Sequence, residues 1–144
     1  MRFIPTWFHG IVDYLTVGAL LAVPRLLGYD KAAATTLSVA SGGLLGYSLC
    51  TRYQLGLLKW IPMPIHLTLD GISGATLCAA PFVLPASKKQ RPALVAGFLA
   101  FGLMELFFAL FTKTRVEEPF PGLGQFKAGP EMVEALTLEE DEIC

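Results

Sequence analysis

Four long apolar runs divide the chain, at roughly residues 5–27, 32–50, 62–84 and 93–112, with short polar or Pro/Gly-marked breaks between them. Each is about 19 to 23 residues long, and at roughly 1.5 Å per helical residue this matches a hydrocarbon layer of about 30 Å. The pattern predicts an all-α fold, an integral membrane four-helix bundle. In the second run, "AAATTLSVASGGLLGYSLC" is rich in small and hydroxylated residues, which suit a helix packed closely against neighbours. Gly28 is placed to close the first helix and Asp30 to cap the second. The stretch "TRYQLGLLKW" mixes Arg52 and Lys59 with Tyr53 and Trp60, the composition of a segment lying along a membrane surface. "PASKKQRP" joins the third and fourth helices, with Pro92 suited to a first helical turn.

Sliding the sequence on itself by 57 residues pairs Arg2 with Lys59, Ile4 with Ile61, Pro5 with Pro62, His9 with His66, Asp13 with Asp70 and Pro24 with Pro81. The chain holds two histidines, and both fall in register with an aspartate four residues on. This pattern predicts a duplicated two-helix unit, residues 1–57 and 58–112 of a transmembrane domain spanning 1–112. Each unit crosses an even number of times, so the copies run parallel about an axis along the membrane normal. Residues 113–144 form an extramembrane tail, broken by Pro and Gly, with a short acidic helix expected in "PEMVEALTLEEDE".

Side chains four apart share a helical face, so His9 can meet Asp13 and His66 can meet Asp70. Each Asp is expected about 10 Å into its helix, by roughly 1.5 Å of rise per residue. Glu105, on a helix running the other way, is expected at a similar depth, with Tyr47 and Ser48 in the same half of the bundle. Ionisable groups this deep are costly and should face the interior with partners. The expected role of the His9, Asp13, His66, Asp70 and Glu105 cluster is to organise the bundle, in a structural or accessory component of a membrane assembly. The alternative is ligand binding: a divalent metal on His9, His66, Asp13 and Asp70, or, less favoured, a bis-histidine haem or a proton or ion path. The small-residue pairs Gly42/Gly46 and Gly71/Ala75 offer close contacts within the bundle or between protomers of a homodimer or larger complex. Pro24 and Pro81 are expected to terminate the first and third helices.

Composition agrees with a lipid-bilayer protein: 53% of residues are hydrophobic, 16% are charged, and the mean hydropathy is +0.55. His9, Asp13 and the length of the first run argue against a cleaved signal peptide. Cys50, Cys78 and Cys144 are odd in number and lack metal-type spacing. With the N-terminus taken as cytoplasmic, six basic residues fall inside and five outside, which leans to both termini inside a multi-pass fold. The phosphate-binding, nucleophile-elbow and zinc-protease motifs of soluble enzymes are missing, as is a basic, aromatic tract for nucleic acid. No catalytic residue is assigned and no enzyme activity is expected.

The paired IPxxxHxxxD openings resemble those of the SPW-repeat family of small bacterial membrane proteins, over roughly residues 1–112. Where that family has Ser-Pro-Trp near the end of its first helix, this chain has Val23-Pro24-Arg25 and Ala80-Pro81-Phe82, sharing the proline. The resemblance implies a two-helix repeat and a location in the bacterial inner membrane.

Overall fold

The computed structural model describes residues 2–116. Among these the fold is all-helical: α1 Thr6–Leu26, α2 Lys31–Leu49, α3 Met63–Val83 and α4 Arg91–Phe111. Residues 117–144, with the acidic segment and Cys144, lie outside the described residues.

Prolines set the starts of the helices. Pro5 and Pro62 hold extended backbone just before α1 and α3, and Pro92 occupies the first turn of α4, where its missing N–H costs nothing. Gly28, at φ +63°, turns the chain out of α1, and Tyr29 N–H reaches back to the Pro24 carbonyl. Asp30 stands at the start of α2, but its side chain caps nothing; its carbonyl accepts the Ala34 N–H. Pro24 and Pro81 lie inside α1 and α3 rather than ending them. A proline disables the bond to the carbonyl four residues back, yet the residues after it can stay helical. The actual stops are Gly28 and, in α3, the extended Leu84 that precedes Pro85.

α1 packs along α2 and α3 along α4. Leu20, Leu37, Leu77, Leu94 and Phe98 belong to the apolar core, which Leu44 continues away from the hairpin ends, toward the other end of the bundle. At the hairpin ends Tyr29 donates from its hydroxyl to the Ala93 carbonyl, and the Gln90 amide donates to the Gly28 carbonyl. Gly42, Gly46 and Gly71 have no neighbour within 4 Å of where a Cβ would stand. The tight crossing is elsewhere, between Gly74 of α3 and Gly102 of α4: a Cβ on Gly102 would come within 2.5 Å of Cys78 Sγ and 2.6 Å of the Gly74 carbonyl oxygen. Gly102→Ala is therefore expected to destabilise the fold by about 1–3 kcal/mol through overpacking, while Gly42→Ala is neutral or slightly stabilising. Thermal unfolding of the two purified variants checks this.

Two short backbone bridges join the helix ends. Ahead of α1, Phe3 and Ile4 donate to the Phe111 carbonyl, and Lys113 donates to the Ile4 carbonyl. Ahead of α3, Trp60 and Ile61 donate to the Cys50 carbonyl, and Arg52 donates to the Ile61 carbonyl. The segment entering each odd-numbered helix is thus tied, by the same set of bonds, to the end of an even-numbered helix in the other half of the chain. Both bridges lie at one end of the bundle, beside the first turns of α1 and α3.

Beside its apolar core the bundle buries many polar side chains and exposes large apolar ones. The buried set includes Thr6, His9, Asp13, Thr16, Ser41, Ser48, His66, Asp70 and Glu105, while Leu15, Val39, Ile72, Phe82, Leu103 and Leu110 are exposed. By length and apolarity α1 and α4 qualify as membrane spans.

Candidate metal centre

His9 and His66 each occupy the fourth position of their helices, one turn beyond the bridges, and Asp13 and Asp70 follow a turn later. The structure brings all four together in the interior, between 0% and 5% exposed. His9 Nε2 and His66 Nε2 stand 3.1 Å apart. His9 Nε2 is 3.3 Å from Asp13 Oδ1 and 3.0 Å from Asp70 Oδ2; His66 Nε2 is 3.3 Å from Asp13 Oδ2 and 3.3 Å from Asp70 Oδ2. One ligand-type atom from each residue falls within 4.8 Å of the others.

Every member is held from behind. The Thr51 hydroxyl donates to the Tyr47 carbonyl at 2.7 Å, so its oxygen must accept from His66 Nδ1–H, 2.8 Å away. In the neutral ring this leaves the Nε2 lone pair aimed at the other three residues. His9 Nδ1 lies 2.8 Å from Thr112 Oγ1. Both threonines sit in the backbone bridges that tie the helix ends, which is how those bridges orient the imidazoles.

Each aspartate is steadied by a tyrosine. Tyr47 donates to Asp70 Oδ1 at 2.8 Å, leaving Oδ2 buried with no hydrogen-bond partner and pointed at the two imidazoles. Tyr53 and Ser48 donate to Asp13 Oδ2 at 3.2 and 3.4 Å. Burial and the Asp13 carboxylate hold the Tyr53 phenol well above its ordinary pKa, fixing it as a donor. Its ring can approach α1 this closely because Gly10 has no Cβ, which would stand 2.3 Å from the ring.

Glu105 arrives from α4 and, with His9, Asp13 and Asp70, lines a small cavity beside the cluster. Ser73 on α3 is its neighbouring hydroxyl, but neither buried Glu105 oxygen meets hydrogen-bond geometry.

Thr51, Thr112 and Tyr53 are the site residues that sequence reasoning missed. Their signal is the pair "LCTR" at 49–52 and "LFTK" at 110–113, which align at an offset of 61 rather than 57.

Comparison of the chain with protein-family models, with curated proteins and with solved structures gives no match.

Proposed function

We propose that this chain is a membrane protein that binds one divalent metal ion between its two helix pairs, through His9 Nε2, His66 Nε2, Asp13 Oδ1 and Asp70 Oδ2. The observation that carries the proposal is the spacing of these atoms. Four contacts among them, His9 to His66, Asp13 and Asp70 and His66 to Asp70, run from 3.0 to 3.3 Å. A tetrahedron of N and O ligands about 2.0–2.1 Å from Zn²⁺ has edges of roughly 3.3 Å. Two carboxylates call for two compensating positive charges, which one divalent ion supplies. Two imidazolium rings would supply them too, but that sets two N–H groups nose to nose at 3.1 Å, with contacts to the carboxylates longer than the about 2.7–2.9 Å of charge-assisted bonds.

The reading continues the expected organising role. The ion joins α1 to α3 at the centre of the bundle, where no direct apolar packing would tolerate four polar groups. The large apolar side chains exposed on all four helices, and the length and apolarity of α1 and α4, support a reading with four membrane crossings, with the bridges and both ends of the described chain on one side. The matched bridges, Thr–His pairs and His–Asp pairs support two copies of one two-helix unit, and the shared IPxxxHxxxD openings support the likeness to bacterial SPW-repeat proteins and their inner-membrane location.

Titration of chelator-treated protein with Zn²⁺, followed calorimetrically, tests the assignment: one equivalent binds. Thr51→Val removes the acceptor that fixes His66 and is expected to weaken binding about 10- to 100-fold without changing stoichiometry. No saturable binding in wild type would sink the metal reading. The membrane reading is checked by alkaline carbonate washing of cell membranes, where the protein is expected in the pellet; release into the supernatant contradicts it.

A further inference from the structure

The cavity beside the cluster is about 10 Å³, close to the room one water molecule needs. Its polar lining comes from His9, Asp13, Thr16, Asp70 and Glu105, and its walls include Leu44 and Phe108. His66 does not line it. The cavity therefore opens on the face of the ligand set formed by His9, Asp13 and Asp70, opposite His66. Glu105 lines the cavity, is 6% exposed, and has two buried oxygens without hydrogen-bond partners. At the offset that aligns Thr51 with Thr112, the position matching Glu105 is Leu44, which lines the same cavity. The two halves of the site thus differ here: one contributes an acceptor and the other a hydrocarbon wall.

We propose that the cavity is a fifth coordination position, holding a water molecule that binds the metal from the face opposite His66 and donates a hydrogen bond to Glu105. The inference rests on the metal reading and deepens it, because it makes the centre open to an exchangeable ligand rather than closed. Buried carboxylates without donors are costly, and a metal-bound water, polarised by the cation, is the donor that fits this space. His9, His66, Asp13 and Asp70 would hold the ion, and the water would be its fifth ligand. A small neutral or anionic ligand could take the place of the water.

Cobalt(II) distinguishes this inference from the one beneath it. The number of Co²⁺ ions bound per chain reports on the metal site, and the intensity of the visible ligand-field bands reports on coordination number. Wild type is expected to bind one Co²⁺ with the weak bands of a five-coordinate ion. Glu105→Leu should still bind one, with bands several-fold more intense as the ion becomes four-coordinate, and Glu105→Gln, which keeps an acceptor, should resemble wild type. Equally intense four-coordinate spectra in wild type and Glu105→Leu would overturn the water proposal while leaving the metal site standing. Failure of Co²⁺ and Zn²⁺ alike to bind wild type would remove both. A measurement on wild type alone guards against a variant that does not fold: the Cu²⁺-loaded protein exchanged into D₂O should show pulsed-EPR deuterium modulation from a directly bound water, and its absence would overturn the proposal.

Discussion

His66→Gln is expected to lower the affinity for Zn²⁺ by at least about 100-fold, since a four-ligand site worth about 10–16 kcal/mol loses on the order of 3 kcal/mol with one ligand. His66 makes a particularly sensitive target. Its Nδ1 proton is committed to Thr51, whose own proton is committed to the Tyr47 carbonyl. The only nitrogen left to face Asp13, Asp70 and His9 is the one with the lone pair. Glutamine keeps approximate size and a polar end but cannot reproduce this geometry. Asp70→Asn should cause a loss of similar size by another route, because it retains an oxygen but removes half of the negative charge that balances the ion. The two variants share the loss of binding, whereas a purely structural clasp predicts destabilisation of both with no metal to lose. Calorimetric titration beside circular dichroism separates these outcomes.

Removing the ion from wild type with a strong chelator should lower the unfolding temperature substantially. A ligand present at about 1,000 times its Kd stabilises the folded state by about 4 kcal/mol. In a chain of this length that corresponds to a shift on the order of 10 °C. The loss has a local cause: without the cation, two buried carboxylates confront two imidazoles whose compensating protons must come from solvent. Re-addition of Zn²⁺ restores the transition in wild type, and the same addition or removal moves it by no more than about a third as much in Asp70→Asn. Scanning calorimetry of the solubilised protein checks this, and a chelator-independent transition in wild type would contradict it.

The helices were legible in the sequence because the apolar runs are long and their ends are marked by Pro5, Gly28, Pro62 and Pro92; the observed bounds fall within two residues of those runs. His9, Asp13, His66 and Asp70 were legible because histidine is rare here and both copies keep the same spacing to aspartate. Thr51 and Thr112 were hidden for a geometric reason. The connection between α3 and α4 is longer than the one between α1 and α2, so the register that aligns the first helix of each pair slips by the time it reaches the second. A hydroxyl residue is also too common to stand out unaided. The close crossing at Gly74 and Gly102, rather than at Gly42, Gly46 or Gly71, depended on which face each helix turns to its partner. A stripe of small residues marks where a close approach is sterically allowed, and the packing of the whole bundle decides where it occurs. Pro24 and Pro81 misled for a related reason: proline interrupts hydrogen bonding behind it, but the chain ahead ends only where a later residue leaves helical backbone angles.

Elemental analysis of the protein purified without chelators, with His9→Gln/His66→Gln prepared in parallel, bears most directly on the metal centre. One equivalent of a divalent transition metal per wild-type chain, and less than a tenth of that in the double variant, is the predicted result. Wild type that purifies metal-free and takes up none on incubation with Zn²⁺, while remaining folded, would contradict it.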